Sequence, residues 1–227
     1  MRITWNGHSN FYLEHAGSRV VIDPFFEGNP SAPGGHERIA EADAVFLTHD
    51  HGDHVGQALD ICAATGAQLV GVFDTVNALV ERGLDPDQGL GMNLGGTVQV
   101  AGLAATMVQA EHSSATGVAA GFILTWPDGL CVYHAGDTAL FASMGLFPEF
   151  HAIDLALLPI GGWFTMDPPQ AAHACKLLRC GAVAPMHWGT FPILEQNTDA
   201  FAKELERRAP GTRLVQLTVG EPVEFTP

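Results

Sequence analysis

Positive charge is scarce in this chain. Its 227 residues hold 10 Lys and Arg against 25 Asp and Glu, a net charge of −15 with histidine neutral, and no Lys or Arg occurs from residue 83 to residue 175. Nucleic acid is bound by cationic side chains that displace condensed counterions, and anionic membrane surfaces by polybasic segments. The composition argues against both as partners. Cysteine is also sparse. Cys62, Cys131, Cys175 and Cys180 include no CxxC pair and are too few to staple a chain of this length. Reduced thiols in a cytoplasm are therefore expected. No apolar run approaches the ~18 residues of a spanning helix, and the first residues lack the apolar core of a secretory signal. Linkers, low-complexity tracts and repeats are missing as well, so one domain over 1–227 is expected. With 47% hydrophobic and 15% charged residues, the chain is too apolar for disorder. Surface scaling for its mass predicts roughly 10,000 Å² exposed.

Short strands come first: Arg2–Trp5, Asn10–His15, Arg19–Ile22 and the apolar run Ala44–Leu47. A helix is expected over Val55–Ala64, a strand over Leu69–Val72 and a helix over Thr75–Arg82. Gly28–Gly35 reads as a surface loop or flap. The middle is β-rich, with Thr97–Val100, Ala104–Val108, Gly121–Trp126 and Leu130–Tyr133. The last third alternates: strand Leu155–Pro159, helix Pro168–Leu178, strand Ala182–Met186, helix Thr198–Arg208 and strand Arg213–Leu217. Strands first and βαβ units later imply an α/β layered sandwich.

Histidine is the residue in excess, at 11 copies. Directly after the strand Ala44–Leu47 runs Thr48-His49-Asp50-His51-Gly52-Asp53-His54. Three imidazoles and two carboxylates in six consecutive positions exceed what packing calls for, whereas imidazole and carboxylate together suit a divalent cation. His49 and His51 can converge on one ion, and Asp53 and His54 can face a second. His112, Asp137 and His187 each follow a strand, and sites in layered α/β folds gather outside the carboxyl ends of strands. His8, in the turn Gly7-His8-Ser9, is a further candidate for touching substrate or supporting a ligand. His134 reads as packing, and Asp23 as a buttress for a ligand histidine or a turn cap. Trp163 and Phe164 are either a pocket wall or core, and Trp188 and Phe191 raise the same choice. The spacing of Cys175 and Cys180 carries no redox role.

The His-x-His-x-Asp-His loop, followed by later His, Asp and His residues, resembles the metallo-β-lactamase superfamily across essentially the whole chain. Gly7-His8-Ser9, Asp23-Pro24, His134-Ala-Gly-Asp137-Thr and Pro185-Met-His187-Trp resemble its small bacterial metal-dependent hydrolases, a branch related to ascorbate-phosphate lactonases and N-acyl-phosphatidylethanolamine phospholipase D. The resemblance implies a four-layer αββα sandwich with a dinuclear site. His49, His51 and His112 would hold one ion and Asp53, His54 and His187 the other, with Asp137 bridging. Zinc is the default pair of ions, and manganese, nickel or iron fit the same donors. The expected activity is hydrolysis of a small ester, lactone or amide by a metal-bound hydroxide, with Asp53 also orienting or deprotonating the nucleophile and His8 assisting. The alternatives are a phosphodiesterase or nuclease, disfavoured by the missing cations, and a metal-binding scaffold without turnover. A small-molecule substrate is the expected partner, and a closed homo-oligomer is compatible with it.

Overall fold

The computed structural model describes residues 1–227. Two mixed sheets of seven strands each lie face to face. The first runs, edge to edge, Pro222–Glu224, Arg2–Trp5, Phe11–His15, Ser18–Ile22, Ala44–Phe46, Gln68–Val72 and Gly89–Met92. It is antiparallel through Ser18–Ile22 and parallel beyond. The second runs Arg213–Leu214, Ala182–Met186, Leu155–Pro159, Cys131–His134, Ala120–Thr125, Leu103–Gln109 and Thr97–Val100.

Strands covered on both faces need continuous apolar runs rather than alternation. Ala44–Phe46, Leu155–Pro159 and Ala182–Met186 are accordingly buried throughout. The inner faces meet through contacts such as Phe46 against Phe122, ring centroids 5.0 Å apart. Helices Ala58–Thr65 and Phe73–Glu81 cover the outer face of the first sheet, placing Ile61, Val76 and Leu79 on Val45, Leu47 and Leu69. Helices Pro168–Leu178 and Asp199–Arg208 cover the second with Ala171, Cys175, Leu178, Phe201 and Leu205. The expected α/β sandwich, helix–sheet–sheet–helix, is the fold. Its exposed surface is 9092 Å², below the roughly 10,000 Å² that scaling gives.

Expectations change in three places. The strand expected over Arg213–Leu217 is limited to Arg213–Leu214. The helix expected over Val55–Ala64 is divided into a single turn, Gly52–Val55, and Ala58–Thr65. The break lies at Gly56, whose φ of 40° and ψ of −121° exclude a side chain, and whose added Cβ would overlap the Pro24 carbonyl oxygen. Gln57 completes the junction, donating from its backbone to Pro24 and accepting at Oε1 from Phe26 and Glu27. The Asp53-His54 turn is thereby locked to the segment after Ile22. Strands Gly89–Met92 and Pro222–Glu224 were not expected. The first holds two glycines, and the second pairs with Arg2–Thr4 at the far end of the chain. No helix is long and apolar enough to cross a membrane.

Candidate metal centre

The carboxyl ends of strands from both sheets converge on one rim. After Ala44–Phe46, the Thr48 hydroxyl donates to Asp23 Oδ2 (2.7 Å), and the Thr48 amide donates to Asp23 Oδ1 (2.9 Å). His54 Nδ1 donates to the same Oδ2 at 2.7 Å, and His49 Nδ1 lies 3.0 Å from the Thr48 hydroxyl oxygen. A hydroxyl that has given its proton to a carboxylate accepts from His49 Nδ1–H. Both rings therefore carry their proton at Nδ1 and turn a lone pair at Nε2 toward the cavity. These buried Nε2 atoms, and buried Asp137 Oδ1, have no hydrogen-bond partner. Unpaired acceptors in a buried cluster are unfavourable unless a cation meets them, so the donor set fits divalent metal ions. The role of Asp23, open in the sequence, is that of a buttress.

His112 comes from the second sheet, after Leu103–Gln109, on a loop that Asp50 holds. Asp50 Oδ1 accepts from Ser114 Oγ (3.0 Å) and the Ala115 amide (2.9 Å), and Oδ2 accepts from the Thr116 amide and hydroxyl (2.6 Å each). These hydrogen bonds hold the Asp50 carboxyl below its usual range, against the upward pull of burial. Sequence reasoning gave Asp50 no role, because its partners lie more than 60 residues along the chain. Asp50→Ala is expected to lower stability by about 2–3 kcal/mol and to weaken metal capture by about 10–100-fold, measured by thermal unfolding and competitive zinc titration.

Asp137 is central. Its Oδ2 lies 3.1 Å from His187 Nε2, 3.4 Å from His54 Nε2 and 3.7 Å from His112 Nε2. It follows His134, whose Nδ1 accepts from the Gly136 amide (3.1 Å) and whose Nε2 lies 3.0 Å from the Ser9 carbonyl oxygen. Both ring nitrogens of His134 are thus used within the fold, as the packing reading expects. Burial lowers its pKa, so the unfolded chain binds more protons below about pH 6.5 and stability falls as pH falls through that range. Urea midpoints of metal-free protein are expected to drop between pH 7.5 and 5.5. His134→Gln should remove a share of up to about 1.4 kcal/mol per pH unit from that slope.

His187 and His8 both sit in the left-handed region, at φ 56° and 54°. The His187 amide donates to the His8 carbonyl (3.0 Å), and their rings lie 3.9 Å apart. His8 is fully buried, with Nε2 3.2 Å from Asp53 Oδ2 and Nδ1 3.1 Å from Thr190 Oγ1. A carboxylate only accepts, so His8 donates from Nε2 and accepts a hydrogen bond from the Thr190 hydroxyl at Nδ1. Nothing in the sequence singled out Thr190.

The candidate ligand atoms fall into overlapping groups, each within 4.8 Å: His49, His51 and His112; His49, His54 and Asp137; and His8, Asp53, His54 and His187. The structure thus brings together every residue expected at the site and adds His8 to the second group. Burial and the surrounding imidazoles push His49 down to about 2, and burial takes His8 down to about 4. His54 goes the other way: burial opposes its charged form, but without a metal ion Asp137 and Asp23 outweigh burial, so an ion bound at Nε2 would displace a proton there. Asp137 is held well below the carboxylate range by His187 and His54 despite its burial. At neutral pH, His49 and His8 are uncharged and Asp137 is ionised, the states in which these groups bind metal.

The cavity over the cluster has a volume of about 340 Å³ and is lined by His51, Asp53, His112, Ser113, Asp137, Phe164 and His187. Phe164 in this lining and its chain neighbour Trp163 are both exposed, so the core reading is wrong for both. Trp188 packs on Trp5 (5.2 Å), and Phe191 meets the His8 ring edge-on (5.6 Å). Cys175 and Cys180 are buried free thiols.

Comparison with known proteins places residues 18–188 within the beta-lactamase superfamily domain. A UPF0173 metal-dependent hydrolase of Nitratidesulfovibrio vulgaris is 58% identical over 97% of this chain and 93% of its own length. One from Methanopyrus kandleri is 42% identical over 99% of this chain and all of its own length. Among solved structures, a metallo hydrolase from Ignicoccus hospitalis superposes with a TM-score of 0.90 at 38% identity, covering 99% of both chains. A metallo-beta-lactamase fold protein from Bacillus subtilis, at 16% identity and a TM-score of 0.77 over 98% of this chain and 99% of its own, shares the fold.

Proposed function

Since this chain belongs to the metallo-β-lactamase superfamily and to its metal-dependent hydrolases, we propose that it is a dinuclear enzyme that hydrolyses a small uncharged ester, lactone or amide. His49, His51 and His112 would hold one ion, Asp53, His54 and His187 the other, and Asp137 both. The observation that carries this reading is Asp137 Oδ2 within 3.1–3.7 Å of three imidazole Nε2 atoms drawn from both sheets. Zinc suits the His-rich donors, and manganese, nickel and iron remain compatible.

When bound, the ions supply Lewis acidity and a coordinated water with a pKa near 7. The chain does the positioning. Burial pulls the Asp53 carboxyl upward, but the His8 Nε2–H at 3.2 Å holds it ionised, well below its usual range. One Asp53 oxygen is committed to His8, and Asp53 is still a third exposed toward the cavity. Its other oxygen can orient a water and accept its proton. Thr190 keeps the His8 tautomer that makes this possible. No Lys or Arg lines the cavity, which favours a neutral substrate over a phosphodiester.

The test is a hydrolysis panel on zinc- and manganese-loaded protein, with esters, lactones, a β-lactam and a phosphodiester, alongside metal counting. Two ions per chain are expected, with turnover of a carboxylic bond class. Asp53→Asn should lower kcat by about 10²-fold, the scale of one general base. Phosphodiester turnover alone would establish the phosphodiesterase instead, and two bound metals with no turnover anywhere would leave a scaffold.

A further inference from the structure

The one apolar wall of the metal cavity is Phe164, and it continues outward into Trp163. The two rings lie 6.5 Å apart and are 56% and 75% exposed. Large exposed aromatics on a slack loop would mean little, but this loop is tied down. Ile160 and Met166, fully buried, flank it. Ile160 donates to Met186 (3.0 Å), Gly162 to Met166 (3.0 Å), Met166 to Thr138 beside Asp137 (3.0 Å), and Glu195 to Gly161 (3.1 Å). Gly161 passes so close to His187 that an added Cβ would overlap its carbonyl oxygen. Trp163 itself is held at φ 53°, a conformation that bulky residues adopt only where surroundings enforce it. The loop is fixed to the elements that carry Asp137 and His187, and it presents Phe164 to the metal cavity and Trp163 to the surface beside it.

Beyond Trp163 opens a second cavity of about 500 Å³, lined among others by Trp163, Ile193, Leu194, Asp167 and Glu195. Ile193 is half exposed. Neither cavity has a Lys or Arg in its lining, and the second has two carboxylates. An anionic group there would be repelled, whereas a neutral apolar group would cover exposed ring surface.

We propose that Trp163 and Phe164 are the specificity platform of this enzyme, binding an uncharged aryl or alkyl substituent of the substrate while the scissile bond lies in the His/Asp cavity. The substrate class is then a hydrophobic acyl or aryl ester, lactone or amide. This rests on the hydrolase reading above.

The test separates the two claims by measuring binding rather than turnover. Acetohydroxamate and benzohydroxamate, which share a metal-chelating head and differ in the apolar group, are titrated calorimetrically into zinc-loaded protein and its Trp163→Ala, Phe164→Ala and double variants. Benzohydroxamate is expected to bind about tenfold more tightly, the scale of one aromatic contact. The double variant should reduce that preference to about threefold or less and leave acetohydroxamate within about twofold of wild type. Equal affinities in wild type, or a preference that survives the double variant, would overturn the platform. So would failure of both ligands to bind protein that retains zinc. Loss of zinc itself from the wild type would instead sink the hydrolase reading. Sedimentation of the same variants guards the remaining outcome: a shift in oligomeric state without a shift in preference would make the aromatic pair a contact between copies.

Discussion

Asp137→Asn is expected to reduce turnover by about 10²- to 10⁴-fold, equivalent to roughly 3–5 kcal/mol of transition-state stabilisation, while the chain still folds. The substitution keeps the shape of the side chain and removes its charge. That charge faces His187, His54 and His112 at 3.1–3.7 Å, and its second oxygen is buried without a partner. An amide there offers one neutral acceptor and a pair of donors that no imidazole lone pair can use while also binding metal. Both proposed ions lose a ligand at once, so metal content should fall below two per chain. Elemental analysis and kcat/KM on the best panel substrate check this together. A variant that keeps two ions and more than a tenth of wild-type turnover would remove Asp137 from the bridging position.

Asp23→Ala should be the most destabilising single change near the site, by about 3–5 kcal/mol. Its carboxylate is fully buried and accepts from the Thr48 amide, the Thr48 hydroxyl and His54 Nδ1. Removing it leaves three donors without their acceptor, each worth about 1–3 kcal/mol when stranded. Asp23 also has φ 47°, where a short polar side chain is tolerated better than a methyl group. For a chain of this size the loss corresponds to a fall in Tm of about 6–20 °C. Zinc affinity should weaken too, because His54 loses the partner that fixes its tautomer and direction. Calorimetric unfolding and competitive zinc titration read the two effects. A loss under about 1 kcal/mol would mean that water replaces the carboxylate and that Asp23 is no buttress.

What was legible in the sequence was local. His49, His51, Asp53 and His54 are contiguous, and a strand followed by a tight turn places them on one rim without help from elsewhere. His112, Asp137 and His187 could be read because each follows a recognisable apolar strand. The remainder depended on distant partners. Asp50 anchors a loop more than 60 residues away, and His8 meets Thr190 across 182 positions. Gly56 breaks a helix that periodicity extends, because the Pro24 carbonyl lies against it. The strand Gly89–Met92 has little β-propensity of its own and exists through its neighbour Gln68–Val72. Trp163 and Phe164 read equally as core or pocket, since exposure is set by the loop's anchors and not by the two residues.

The order in which the converging residues occur along the chain bears on the protein's biosynthesis. The cluster from His49 to His54 is made first, His112 and Asp137 follow 58 and 83 residues after His54, and His187 comes 133 residues after it. At about 5–20 residues per second, the His49 group exists for several seconds or more before the strand that delivers His187 is made. Newly made chain therefore passes through a stage with imidazoles that can capture a cation and no finished reaction centre. On the proposed assignment, hydrolytic competence would come last, so a chain still lacking the His187 strand would bind metal without being a stray hydrolase.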